Sequence, residues 1–116
     1  MVTPLNDGMN LMAKEYCACQ VDEDGILILS EFAGAVHEFH EHAILVNPRD
    51  IDALAEAMKQ AFDMSEDEKH QRMRGLRRQV QSHDIFWWVD SFLKAAIEKD
   101  LSNFPLLDEY RPAEEL

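Results

Sequence analysis

"ILILSEFAGAVHEFHEHAILVNP", residues 26–48, decides the architecture of this chain. Its two ends, Ile26–Ser30 and Ala43–Val46, are short apolar runs between turn signals, the mark of strands buried on both faces. Asn47-Pro48 closes the second, and the intervening "EFAGAVHEFHEH" reads as irregular chain with one helical turn. Upstream, "VTPL" is an extended run broken by Pro4 and by Asp7-Gly8, and a helix is expected over Met9–Gln20, ended by the turn "VDEDG". Downstream, Ile51, Leu54, Ala55, Met58, Ala61 and Phe62 fall at helical spacing behind Asp50 as N-cap, which predicts one buried stripe. Ser65 and Glu68 make a capping box for a helix to about Ser82 with the stripe Met73, Leu76 and Val80. Asp84 is placed to cap a last helix whose stripe is Ile85, Trp88, Val89, Phe92, Leu93 and Ala96.

Strand, helix, strand, loop, strand and then helices is the order of a parallel α/β sheet. The folded part is expected over residues 1–100, with residues 101–116, which hold Pro105 and Pro112, as a loose tail. At 116 residues this is one domain. In such sheets ligands bind outside the C-terminal ends of the strands, where loops lead into helices. "TPLNDGMNLMAKE", residues 3–15, occupies that position.

Composition narrows the partners. Eleven Lys and Arg stand against 23 Asp and Glu, a formal charge of -12, which argues against nucleic acid and anionic membranes as partners because basic side chains supply most affinity for them. The apolar runs are far shorter than the ~18 residues of a spanning helix, and no charged-then-apolar leader opens the chain. A cytoplasmic protein is expected. Cys17 and Cys19 stand two apart in a helical stretch, where side chains do not face each other, so a disulfide between them is not expected.

"VTPLNDGMNLMAKEY", "ILILSEFAGA", "LVNPRD" and "DIFWWVDSFL" together resemble, in order and spacing, the C-terminal part of the trehalose-phosphate synthase family. These are retaining glycosyltransferases that also include the glucosylglycerol-phosphate synthases. The resemblance runs from Val2 to about Leu93 and covers the last quarter or so of such an enzyme. It implies part of a Rossmann-like domain, the nucleotide-sugar half of a two-domain glycosyltransferase. The implied reaction moves glucose from UDP-glucose to a phosphorylated acceptor, glucose-6-phosphate or glycerol-3-phosphate, with no metal or other cofactor.

By the same resemblance, Asp7 binds hydroxyls of the transferred glucose and Glu15 binds the ribose hydroxyls. Gly8, Met9, Asn10 and Leu11 offer backbone amides to the diphosphate, with the side chains at 9 and 10 mattering less than their N–H groups. Carboxylates suit such roles because each accepts from two hydroxyls of a diol, and helix starts suit anions because their amides are unpaired. Glycine at position 8 lets a ligand approach the backbone closely. Taken alone, Asp-Gly is a turn and Glu15 a solvated helix residue. Asn6 and Met12 depart from the family's usual basic and smaller β-branched residues beside the site.

The family grips the diphosphate with an Arg and a Lys upstream of its DGMN motif, whereas Lys14 is the only Lys or Arg before Arg49 here. No catalytic residue is therefore assigned, and the chain by itself is expected to be inactive. It is expected to act with an N-terminal glycosyltransferase half, or to self-associate through the Trp88 helix, whose apolar stripe faces that half in the family. The alternative is a non-catalytic α/β assembly module. "HEFHEH", with His37, His40 and His42, lacks the i, i+4 pair of a helical zinc site and reads as polar loop. Lys69, Arg72, Arg74, Arg77 and Arg78 read as a solvated helix face behind the acids Glu66, Asp67 and Glu68.

Overall fold

A computed structural model describes residues 1–98, so the tail at 101–116 lies outside the described residues. The elements are α1 (Leu11–Cys19), β1 (Ile28–Ser30), α2 (Val36–Phe39), β2 (Ile44–Val46), α3 (Ile51–Asp63), α4 (Glu66–Ser82) and α5 (Ile85–Glu98). Contacts divide them into two units, Met1–Asp84 and a second that begins at Ile85.

In the first unit β1 and β2 pair in parallel, with Ile28, Leu29 and Ser30 opposite Ile44, Leu45 and Val46. On the other side of β1 the Val2 amide donates to the Ile28 carbonyl and the Val2 carbonyl accepts from Ser30, both at 2.9 Å. β1 is therefore the middle of three extended segments, as the "ILILS" run predicts. Its alternation sorts the core into two layers. Leu27 and Leu29 pack with Ala13, Cys17, Phe39, Met73 and Leu76 of α1, α2 and α4, while Ile28 joins Ile44, Val46, Ala57 and Met64 on the α3 side. Helices on both faces of a parallel sheet give the expected α/β architecture.

Local signals place the later helices well. The Asp50 side chain accepts from the Ala53 amide at 3.0 Å, and Ser65 Oγ accepts from Glu68 at 3.3 Å. Only half of the capping box forms, because the Glu68 carboxylate takes Arg72 Nε at 2.9 Å instead of reaching back. Met73 and Leu76 are buried and Val80 packs against the same cluster, as their spacing predicts.

Three expectations are corrected. α1 opens at Leu11 rather than Met9, because Asn10 takes φ 51°, a left-handed conformation that no helix interior tolerates. The second strand is not buried on both faces, since Leu45 is 40% exposed. The α3 stripe is shifted from its periodicity: Leu54 and Ala61 pack with Ala57, outside the expected stripe, against the sheet residues, whereas Ala55 is exposed and Ile51, Met58 and Phe62 remain 79%, 49% and 85% exposed. Among the described residues a sheet of two strands, extended by bridges at Val2 and Asp7, covers only one side of that apolar arc.

The basic run on α4 also does more than face water. Arg77 donates to the carbonyls of Cys17 and Ala18, at 3.3 and 2.8 Å, at the end of α1 where its dipole is negative; the Cys17 carbonyl also takes the Gln20 amide. Arg74 pairs with Glu23 at 3.0 Å, which ties the turn after α1 to the same helix. Among the described residues no helix is long and apolar enough to cross a membrane.

Cys17 lies in the core and Cys19 on the surface, both as free thiols. Burial pushes the Cys17 thiol up to about 11, against a smaller lowering by the Arg77 charge. An unfolded chain ionises this thiol near 9.0 while the folded one keeps its proton, so folding stability falls as pH rises between the two values. Iodoacetamide at pH 8 is expected to modify Cys19 promptly and Cys17 only on unfolding. In urea titrations, Cys17→Ala is expected to flatten part of the decline between pH 9 and 11; equal slopes in both proteins would refute that assignment.

Within the second unit, Trp88 and Phe92 stand one turn apart on α5 and stack with ring centroids 5.5 Å apart and planes 9° from parallel. Asp90 and Lys94 pair on the same helix at 2.6 Å.

Candidate functional site

Asp7 is anchored by its backbone before its side chain does anything. Its amide donates to the Phe32 carbonyl at 3.3 Å and its carbonyl accepts from Gly34 at 2.7 Å, which extends the parallel pairing beyond Val2. The loop after Asp7 therefore leaves at the C-terminal end of the sheet, the place where such sheets bind ligands.

The carboxylate then shapes that loop. Oδ1 accepts from the amides of Met9 (3.2 Å) and Asn10 (3.0 Å), and Oδ2 accepts from Asn10 Nδ2 at 2.9 Å. Asn10 in turn accepts from the Ala13 amide at 3.0 Å through Oδ1, which makes it the N-cap of α1. Asparagine serves here because it tolerates the left-handed region and caps well. Its side chain thus braces the turn internally, a structural role separate from the ligand role read for the N–H groups at positions 9 and 10. The Met9 and Asn10 amides are directed at Asp7, while those of Gly8, Leu11 and Met12 meet no protein acceptor among the described residues.

Gly8 and Gly34 are glycines for different reasons. A Cβ on Gly34 would collide with the carbonyl of Gly8, so Gly34 is the seat on which the loop rests. A Cβ on Gly8 would meet nothing within 4 Å, and its φ is not positive, so the protein's own packing places no demand on that position. The requirement for Gly34 went unnoticed in the sequence. Its signal was the position of "FAGA" directly after a buried strand.

Glu15 lies one turn beyond Leu11 on α1 and is exposed. Its neighbours are committed elsewhere: Lys14 Nζ pairs with Glu38 at 2.7 Å and the Tyr16 hydroxyl donates to the Ile26 carbonyl at 3.1 Å. The structure therefore gathers Asp7, Gly8, Met9, Asn10 and Leu11 into one turn braced by hydrogen bonds and leaves the Glu15 carboxylate with no hydrogen bond or ion pair among the described residues. Asp7 keeps unused lone pairs on Oδ2, Glu15 keeps all of its own among the described residues, and three amides have no acceptor there. That set can accept from hydroxyls and donate to an oxyanion.

His37 and His40 are surface residues of the α2 segment, and among the described residues no three His, Cys, Asp or Glu side chains converge as metal ligands would.

Residues 1–98 match the model of Glycosyltransferase family 20. The trehalose-6-phosphate synthase of Mycobacterium tuberculosis (strain ATCC 25618 / H37Rv) is 52% identical over 95 residues, which is 82% of this chain and 19% of that protein. The trehalose-6-phosphate synthase of Mycobacterium avium (strain 104) is 51% identical over 98 residues, 84% of this chain and 20% of that protein. Among solved structures, the α,α-trehalose 6-phosphate synthase of Burkholderia multivorans superposes with a TM-score of 0.75 at 40% identity, over 87% of this chain and 23% of that one. An Escherichia coli structure described as bound with UDP-2-fluoro glucose gives a TM-score of 0.73 at 39% identity, over 90% and 22% of the two chains. The chain thus spans about a fifth of the length of these relatives.

Proposed function

Because this chain belongs to glycosyltransferase family 20, we propose that it supplies part of the donor site of an enzyme that moves glucose from a nucleotide sugar to a phosphorylated acceptor. UDP-glucose is the donor this reading favours, and a sugar or polyol phosphate the acceptor. The observation that carries it is the turn from Asp7 to Leu11. It is braced from within by its own side chains, yet leaves the amides of Gly8, Leu11 and Met12, and the exposed Glu15 carboxylate on the same helix, without a protein partner among the described residues. Amides at a helix start suit a diphosphate, and carboxylates with free lone pairs suit the hydroxyls of glucose and ribose. No metal is required by this division of roles.

The chain by itself is not expected to turn over substrate. Lys14, the only Lys or Arg before Arg49, is engaged with Glu38, so no unpaired Lys or Arg among the first 48 residues stands ready to clamp a diphosphate. An amide NMR titration with UDP-glucose, with UDP and glucose as separate controls, tests the reading. Shifts confined to Gly8–Glu15 that saturate at millimolar donor are expected, and Glu15→Ala should remove the UDP response while leaving the spectrum folded. A well-dispersed spectrum that stays silent to millimolar donor would overturn the reading for this chain.

The exposed apolar ridge of Ile51, Met58 and Phe62 on α3 favours a second reading, an α/β module that completes itself against another glycosyltransferase segment or another copy through its apolar helices. Light scattering of a strictly monomeric protein, together with failure to bind a separately produced N-terminal half, would remove it.

A further inference from the structure

The outer side of α4 carries a hollow of about 350 Å³ lined by His42, Gln71, Arg74, Gly75, Arg78 and Gln79. Its floor exists because position 75 has no side chain: a Cβ there would collide with the His42 ring, which lies across the helix at that point. Residues 71, 75 and 79 are spaced by four, as are 74 and 78, so helix periodicity sets these groups on one side of α4. Every polar side chain in the lining is able to donate a hydrogen bond, and none is a carboxylate, in a chain with 23 Asp and Glu. A second hollow shares His42 and Gln71 with it, but there the carboxylates of Glu41, Asp67 and Glu68 join the lining beside Arg72.

The cations of α4 are mostly spent. Lys69 pairs with Glu66, Arg72 with Glu68 and Arg74 with Glu23, and Arg77 caps α1. Arg78 alone of the five has no ion pair or hydrogen bond among the described residues. Arg74 engages Glu23 through Nε and Nη2, and its Nη1 has no partner among the described residues. A planar guanidinium beside two amide side chains and an imidazole matches the fork geometry of a tetrahedral oxyanion.

We propose that this hollow binds a small oxyanion of the phosphate class, as free phosphate or as a compact phosphomonoester, with Arg78 as its principal contact. The site is separate from the Asp7–Leu11 turn. His42 precedes β2 at the N-terminal end of the sheet, whereas the turn leaves from the opposite end, so the proposal does not depend on the donor reading.

Amide NMR of the full chain, titrated with inorganic phosphate and in a second arm with glycerol phosphate, provides the test, with sodium chloride as an ionic-strength control. Saturating shifts at His42 and Gln71–Gln79 are expected in the millimolar range. Arg78→Ala, an exposed position, should weaken them about tenfold, and Lys59→Ala on α3 should not change them. Tighter saturation by glycerol phosphate than by phosphate would identify the monoester as the occupant, and the reverse would identify the free ion. Equal shifts with chloride, an unchanged response in Arg78→Ala, or shifts confined to Gly8–Leu11 would each overturn the proposal.

Discussion

Gly34→Ala is expected to lower stability by about 3 kcal/mol and to abolish the response to UDP-glucose. A methyl at that position has no flexible neighbour to displace. It meets the Gly8 carbonyl, with the Gly8 carbonyl carbon 2.7 Å away and the Asp7 oxygen at 3.4 Å, all of it backbone. Relief requires the loop to lift, which strains the pairing of Asp7 with Phe32 and Gly34. Overpacking of this kind costs ~1–3 kcal/mol, and each net hydrogen bond lost adds about 1 kcal/mol. The companion variant Gly8→Ala separates fold from function. Open space and ordinary φ at Gly8 predict a stability within ~0.5 kcal/mol of the parent, while a ligand that sits on the loop backbone would be repelled by the new methyl. Urea unfolding and the UDP-glucose titration on both variants check this. A stable Gly34→Ala protein would show that the loop is not seated as described.

Asn10→Ala is expected to cost a similar amount, about 3 kcal/mol, through three separate losses. The Ala13 amide loses its cap, worth ~1 kcal/mol. Asp7 Oδ2 loses a donor at 2.9 Å, worth about 1 kcal/mol. Alanine at φ 51° carries roughly 1–2 kcal/mol of strain that asparagine largely avoids. Asn10→Gly should recover a large part of the loss, because glycine bears no left-handed penalty and is itself a fair N-cap. Thermal unfolding of the pair distinguishes the contributions, and equal destabilisation by both substitutions would mean that backbone conformation plays no part.

These two residues also show where reading the sequence stops. The strands, the Asp50 and Ser65 caps and the α4 stripe depend on residues within one or two turns of each other, and they were legible. The motif from Asp7 to Leu11 was legible as a turn ahead of a helix, but the start of α1 was not. It depends on whether the Asp7 carboxylate captures the next amides or leaves them to the helix. Gly34 was silent because its reason, the Gly8 carbonyl, lies 26 positions upstream. Arg74 and Arg77 read as solvated for the same cause, since their partners are 51 to 60 residues away. The face of α3 was misjudged because periodicity reports how much apolar surface a helix offers, not how wide a sheet lies beneath it.

The clasp of Arg77 on the end of α1 has a consequence in time. α1 leaves the ribosome some 60 residues before the side chain that closes it, together with Met73 and Leu76, which cover Ala13 and Cys17. Contacts of such long separation form late, because loop closure must precede any return from them. A nascent chain that ends before α4 therefore carries the Asp7–Leu11 motif without the helix that holds α1 in place. The earliest residues of the site acquire their final geometry only when some of the last described core residues arrive.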